Sequence, residues 1–274
     1  PTKFIEIVQP NLAYFVKYEF WPGYMLALNK ANVPVILVNG IFRTSQIFFK
    51  WYGTGMKRLL KKFAHLFVQY EPSARLLEKN GITNVTISGD LRFDRVAQMA
   101  DKAIDYPFIK TFCEKGFTIV GGSTWPVEEN ILTEIVSHYG RSANKVNVLL
   151  VPHDISEGHL RKIERTFTDF HHVRLSAATK TSLAIANVLI VDSIGKLASS
   201  YRYADVSLIG GGFTGNLHNI LESLVHGVPV FFGPKTDKFP EASYFVQEGV
   251  AFPIENTQQL IAQLDKLFTA PEEL

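Results

Sequence analysis

Three short stretches of this chain combine residue types able to hold a phosphate, a sugar or a charge. The densest is Ile209-Gly210-Gly211-Gly212-Phe213-Thr214-Gly215-Asn216-Leu217-His218-Asn219-Ile220-Leu221-Glu222. A glycine run such as Gly211-Gly212 lets backbone N–H groups approach a ligand closely, and the helix predicted after it presents Asn219 and Glu222 one turn apart on one face. A carboxylate accepting from two ribose hydroxyls suits a nucleotide-sugar donor. The alternative is a purely structural polar pair opening an otherwise apolar helix. The run follows a late strand and its glycine spacing departs from the dinucleotide fingerprint. A second stretch, Gly121-Gly122-Ser123-Thr124, precedes a helix predicted from Pro126. Its amides and two hydroxyls can face a phosphate or carboxylate, or serve only as turn and cap. The third, Val191-Asp192-Ser193-Ile194-Gly195-Lys196-Leu197, again turns a strand end into a helix, with Asp192 or Ser193 available as an N-cap. The eight histidines show no HExxH spacing, and there is neither a Walker A loop nor a GxSxG elbow. A zinc site, a kinase or ATPase, and an α/β-hydrolase are disfavoured.

These stretches need strand ends to position them. Short apolar runs at Leu12 to Val16, Val33 to Val38, His65 to Gln69 and Val85 to Ser88 read as buried strands in the first part of the chain. Helices are predicted between them near Gly23 to Ala31, Gln46 to Lys62 and Pro72 to Asn80, the last closed by Gly81. Further on, strands are predicted at Thr118 to Val120, Val146 to Val151, Val173 to Leu175, Val188 to Val191, Val206 to Ile209, Val228 to Phe232 and Val250 to Pro253. A helix over Pro126 to Tyr139 carries Ile131, Leu132, Ile135, Val136 and Tyr139 on one side. Alternation of this kind, with near-continuous apolar strands, means parallel sheets covered on both faces. The expected fold is α/β, with two Rossmann-like domains over residues 1–95 and 96–274. The first is expected to be truncated, having only four candidate strands.

The chain has 274 residues, 46% hydrophobic and 20% charged, values that argue against a disordered or fibrous protein. No apolar run approaches the ~20 residues of a membrane span. A single cysteine, Cys113, excludes an internal disulfide. The net charge is only +2, but residues 1–95 carry 13 Lys/Arg against 6 Asp/Glu, and residues 96–274 carry 15 against 20. The basic excess concentrates around Lys57, Arg58, Lys61 and Lys62, interleaved with Trp51, Tyr52, Leu59, Leu60 and Phe63. Such a segment suits an anionic membrane surface; the alternative is an amphipathic helix packed on a sheet. No recognition-helix or ribonucleoprotein signature accompanies it, so nucleic acid is not an expected partner. The chain opens at Pro1, and a helical pattern through Leu260, Leu264 and Leu267 stops at Ala270-Pro271-Glu272-Glu273-Leu274. Together these read as a piece of a longer protein.

Taken in order, the motifs resemble one family, the 3-deoxy-D-manno-octulosonic acid (Kdo) transferases of bacterial lipopolysaccharide synthesis. Glu19-Phe20-Trp21-Pro22 is similar to the family's Glu-Leu-Trp-Pro, and Val33-Pro34-Val35 with Asn39-Gly40 to its next strand and loop. Gly89-Asp90-Leu91-Arg92-Phe93-Asp94 resembles Gly-Asn-Leu-Lys-Phe-Asp. Gly122-Ser123-Thr124 with Glu128-Glu129 resembles the Gly-Ser-Thr turn and acidic helix, and Asp192 to Leu197 resembles Asp-Thr-Met-Gly-Glu-Leu. His218-Asn219 with Leu221-Glu222, then Gly227-Val228-Pro229-Val230 and Phe232-Gly233-Pro234, complete the series.

The resemblance implies a GT-B glycosyltransferase that moves Kdo from CMP-Kdo to a lipid A precursor (lipid IVA), with inversion and without a metal or other cofactor. It places the donor on the C-terminal domain, against Pro152, His153, Ile194, Gly195, Lys196, Asn219, Ile220, Leu221 and Glu222, to which the glycine-rich turns read above add Ser123, Thr124, Gly211 and Gly212 as candidate donor contacts. It gives Glu19 and Arg92 a part in stabilising the transition state, and puts the general base upstream of Pro1, so that these residues alone are expected to be inactive. It also implies the cytoplasmic face of the bacterial inner membrane, with Lys57, Arg58, Lys61 and Lys62 at the membrane or acceptor surface. The chain departs from the family pattern at four places: His153 stands for an Arg, Arg92 for a Lys, Lys196 for a Glu and Ser223 for a Pro. Competing readings are another GT-B enzyme using a UDP-sugar, a transferase or an epimerase, and a noncatalytic nucleotide- or lipid-binding protein.

Overall fold

The computed structural model describes residues 1–140 and 145–269. The expected stop at Ala270 to Leu274 lies outside the described residues. The chain divides into two compact units, Pro1–Asp94 and Arg95–Leu274.

In the first unit, four strands form a parallel sheet in sequential order: β1 (Ala13–Val16), β2 (Val35–Gly40), β3 (His65–Val68) and β4 (Val85–Ile87). Each lies within or beside its predicted apolar run. Helices Pro22–Lys30 and Glu71–Lys79 pack Met25, Leu28 and Leu77 onto Val35, Leu37 and Leu66, all 2% exposed or less. The long helix expected over Gln46 to Lys62 does not form. A 3-10 turn at Ile47–Phe49 is followed by bends and then a helix at Thr54–Leu60. The break lies at Gly53, whose amide donates to the Lys50 carbonyl. A Cβ there would fall 1.6 Å from the Ile47 carbonyl oxygen, so only glycine permits this fold-back. Phe48 turns inward against Phe20 and Phe42, whereas Trp51 is left exposed.

The second unit holds seven parallel strands: β5 (Phe117–Thr124), β6 (Val146–Pro152), β7 (His172–Arg174), β8 (Val188–Ile190), β9 (Val206–Ile209), β10 (Val230–Phe232) and β11 (Ala251–Pro253). Their order is β11-β10-β9-β5-β6-β8-β7. All seven residues of β6 are buried, as a sheet covered on both faces requires. The helix Pro126–Tyr139 forms as predicted and buries Ile131, Leu132, Ile135, Val136 and Tyr139. The chain runs from β5 outward through β6, then returns to place β9 on the other side of β5. The strand order therefore reverses between β5 and β9, and the loops leaving these strands diverge. Doubly wound sheets bind ligands in the crevice that opens there, beyond the carboxyl ends of the strands.

Candidate functional site

Two of the three stretches that could do chemistry leave the strands flanking this reversal. At the end of β5 the register slips between Gly122 and Thr124, and Ser123 adopts a left-handed φ of 50°. The chain then enters the helix at Pro126 with two acidic residues in its first turn. Glu128, 1% exposed, accepts hydrogen bonds from the Trp125 amide (3.1 Å) and from the Gly211 amide (2.9 Å). Its carboxylate thus ties the loop after β5 to the loop after β9. Glu129 lies 2.9 Å from His159 Nε2 and 3.5 Å from the Thr124 hydroxyl. Burial pushes both acids above the usual carboxylate range, outweighing the amide donors around Glu128 and the His159 contact of Glu129.

Three rings cover this tie. Trp125 stacks on His153, which follows β6, with centroids 4.5 Å apart and planes 27° apart. His153 meets His218 at 4.7 Å, and the Trp125 indole Nε1 donates to His218 Nε2 at 3.3 Å. Burial, then the neighbouring His153, hold His218 below the usual imidazole range. Trp125 and His218, 93 positions apart in sequence, were not singled out as ligand contacts by sequence reasoning; the one available signal was that both flank glycine-rich strand ends.

The glycine run lets the chain pack closely on itself. The Gly211 amide is taken by Glu128, and a Cβ on Gly211, at φ 86°, would fall 2.1 Å from the Asn216 carbonyl oxygen. A Cβ on Gly212 would meet Gly233 backbone at 2.5 Å. These glycines permit close packing of chain on chain. The Thr124 side chain is buried with its hydroxyl 3.5 Å from Glu129 Oε1, while Ser123 stays partly exposed. Asn219 and Glu222 do meet, Asn219 Nδ2 donating to Glu222 Oε1 at 3.0 Å, but the helix is only Leu221–Leu224 and Asn219 lies in the turn before it. The Asn219 Oδ1 accepts from the Leu221 amide at 3.3 Å. The Ile220 and Leu221 side chains, 1% and 2% exposed, belong to the core, so only their backbone can meet a ligand.

After β8, Asp192 is not a helix cap. Its carboxylate accepts from the amide (3.1 Å) and the hydroxyl of Ser176, pinning the turn after β7. This leaves Ile194 86% exposed, Gly195 at φ 86° and Lys196 with its ammonium 5.5 Å from the Tyr106 ring centroid. Pro152, the last residue of β6, is buried.

In the first unit Glu19 is exposed and accepts from the Trp21 indole. Arg92 is held by the fully buried Asp90 carboxylate, through Nε at 2.8 Å and Nη2 at 2.5 Å. Burial raises Asp90, but the Arg92 side-chain and backbone hydrogen bonds and the charges of Arg92 and Lys17 outweigh it, and its carboxyl stays below the ordinary value. Beside them Asn39 Oδ1 accepts from Gln69 Nε2 (2.8 Å) and the Leu91 amide (3.3 Å). Gln69 Oε1 is buried without a hydrogen-bond partner among the described residues. Of the four basic residues, Lys57 donates to Asn80 (2.8 Å) and Lys62 to Asn29 (3.2 Å), while Arg58 and Lys61 are exposed. Among the described residues, no cluster of three metal-ligating side chains occurs, and no helix is long and apolar enough to cross a membrane.

Two Rossmann-like units with parallel sheets define a fold of the GT-B type, shared by glycosyltransferases and nucleotide-sugar epimerases. A UDP-GlcNAc 2-epimerase from Neisseria meningitidis, bound to UDP-GlcNAc, superposes with a TM-score of 0.65 at 17% identity, over 99% of this chain and 71% of its own. The C-terminal CMP-Kdo binding domain of WaaA from Acinetobacter baumannii matches with a TM-score of 0.52 at 22% identity, over 66% of this chain and 91% of that domain. Within this fold class, the family whose model matches is 3-deoxy-D-manno-octulosonic-acid transferase, over residues 1–95. Along 99% of its length the chain is similar to 3-deoxy-D-manno-octulosonic acid transferases from Aquifex aeolicus (27% identity) and Rickettsia prowazekii (25%). It spans 70% of the first protein and 59% of the second. The resemblance drawn from the motifs is thereby borne out.

Proposed function

We propose that this chain carries the donor-binding part of a Kdo transferase, which moves Kdo from CMP-Kdo to a lipid A precursor. The observation that carries the reading is the Asn219–Glu222 pair beyond the carboxyl end of β9, in a chain aligned over 99% of its length with Kdo transferases. In this reading Glu222 accepts from the ribose hydroxyls, with Asn219 holding its other side. Lys196 supplies positive charge beside the donor. Transfer proceeds with inversion and without a metal: an acceptor hydroxyl attacks the anomeric carbon as CMP leaves with the bonding electrons. Arg92, oriented by Asp90, stabilises the charge that develops, with Glu19 assisting. The proton acceptor is assigned to no residue of this chain, so residues 1–274 bind donor without turnover. The exposed basic surface at Arg58 and Lys61 faces anionic lipid at the cytoplasmic side of the inner membrane.

Glu222→Ala tests the donor site. Loss of a charge-assisted hydrogen bond costs about 1.5–3 kcal/mol, or roughly ten- to hundredfold in CMP affinity by calorimetry. A loss below about twofold, with far-ultraviolet circular dichroism unchanged, removes Glu222 from the site. The second reading, a UDP-sugar enzyme, draws on the fit to the epimerase over 99% of the chain. It requires a uridine nucleotide to bind more tightly than CMP.

A further inference from the structure

We propose that Asn39 and Gln69 are positioning residues for Arg92, which they hold through the Leu91 amide. The proposal deepens the part given to Arg92 above and rests on it. Asn39 lies next to last in β2, Gln69 directly follows β3, and the turn from Gly89 to Arg92 follows β4. Three adjacent strands of the parallel sheet thus bring their carboxyl ends to one place.

The Arg92 side chain is clamped within its own turn. Asp90, two positions back, takes the Arg92 amide on Oδ1 (3.0 Å) and the guanidinium on Oδ2. These bonds fix the guanidinium relative to the turn, and the turn itself must be fixed relative to the sheet. Where the turn begins, the Ser88 amide donates to the Val68 carbonyl at 2.9 Å. Next to Arg92, the Leu91 amide donates to Asn39 Oδ1 at 3.3 Å, across 52 positions of chain. The Tyr70 hydroxyl adds a longer contact to Asp90 Oδ2, at 3.4 Å. A change of orientation at Leu91 passes directly to Arg92, whose side chain is 28% exposed against 0% for Asp90.

Two unfavourable features converge on the Asn39 contact. Asn39 is held at φ 60°, a left-handed conformation that asparagine tolerates better than most residues with a side chain. Gln69, 2% exposed, donates through Nε2 to Asn39 Oδ1 at 2.8 Å and leaves its Oε1 buried without a hydrogen-bond partner among the described residues. Native structures seldom leave such an acceptor unpaired. Turning the Gln69 amide over would set Oε1 against Asn39 Oδ1, and turning Asn39 over would set its NH2 against both the Gln69 NH2 and the Leu91 N–H. Turning both would pair them with each other and lose Leu91. Gln69 therefore fixes which end of the Asn39 amide meets Leu91, and the orphan oxygen is the consequence.

The test reads hydrogen exchange of the Leu91 amide and the Arg92 Nε–H by proton–nitrogen nuclear magnetic resonance. Asn39→Gly keeps the left-handed φ without strain and removes the acceptor, so both groups should exchange about tenfold faster. Asn39→Asp offers an oxygen to both donors and should restore native rates within about threefold. Gln69→Leu removes the orphan along with the donor, so it should fold at least as stably as the native chain and still speed both exchanges. In the full-length gene product, Asn39→Gly should lower kcat for Kdo transfer about tenfold, leave KM for CMP-Kdo unchanged, and add no loss in an Arg92→Ala background. Native exchange of the Arg92 Nε–H in both Asn39→Gly and Gln69→Leu, or losses in kcat that add to that of Arg92→Ala, overturns the proposal. Native turnover by Arg92→Ala refutes the part given to Arg92 above, and does so independently of the exchange rates.

Discussion

Removing the Glu128 carboxylate should loosen the second unit more than any exposed substitution would, and the structure indicates by how much. The side chain is 1% exposed and accepts from two backbone amides 86 positions apart, on the loops after β5 and β9. Glu128→Ala takes the acceptor from both amides, the Gly211 one buried and the Trp125 one partly so. At about 1.5–3 kcal/mol for each charge-assisted bond, the gross loss is about 3–6 kcal/mol. Burial offsets part of it, since the ionised carboxylate is held against its own preference for water. A net loss of about 2–4 kcal/mol is expected, a large share of the 5–15 kcal/mol typical of a domain. Glu128→Gln keeps one acceptor oxygen and turns an NH2 toward the other amide, so it should lose about half as much. The assay is urea unfolding followed by Trp125 fluorescence, in the Trp21→Phe, Trp51→Phe background, both of those rings being exposed. A Glu128→Ala variant within about 0.5 kcal/mol of its parent would refute the claim that this carboxylate holds the two loops together.

Three further outcomes follow. Asp90 has a lowered carboxyl pKa in the folded state, so its contribution is present above its unfolded value of 3.8 and is lost as pH falls through the lower folded value; Arg92→Ala should remove that acid-limb loss in chemical denaturation, and an unchanged limb contradicts the Arg92–Asp90 pairing. Cys113 is buried and its thiol is pushed up to about 12, chiefly by desolvation, so a thiol reagent at pH 8 should label it only in denaturant; rapid labelling of native protein contradicts the packing around Phe112 and Ile109. Vesicles containing anionic lipid should sediment the protein at low salt and release it at high salt, and Arg58→Gln with Lys61→Gln should weaken this by about 2 kcal/mol; equal binding to neutral vesicles contradicts an electrostatic surface.

Much of the architecture was legible because burial on both faces of a parallel sheet forces continuous apolar runs. Val146 to Val151 and Val206 to Ile209 have no other use. Pro126 with Glu128 and Glu129 marked a helix start, and the helix forms there. Local pattern failed where a tertiary demand overrode it. The apolar and basic spacing of Gln46 to Lys62 fits one helix, yet Phe48 is drawn into an aromatic cluster with Phe20 and Phe42, and Gly53 allows the chain to fold back. In the site, the proximity of Asn219 and Glu222 was readable because they are three positions apart. The Glu128–Gly211 tie and the Trp125–His218 bond were not, since nothing local to either partner specifies a neighbour more than 80 residues away. Glycines show the same limit: spacing announces close approach of a backbone, but only packing shows whether a ligand or the protein's own chain approaches.

The most direct measurement is the nucleotide preference of these 274 residues. CMP, UMP and UDP-GlcNAc should be titrated into the protein under one set of conditions, in parallel with Glu222→Ala. A Kdo transferase donor site predicts that CMP binds about tenfold or more tightly than either uridine nucleotide, and that Glu222→Ala abolishes this preference by weakening CMP. Tighter binding of UDP-GlcNAc than of CMP, or binding of CMP untouched by Glu222→Ala, would contradict it.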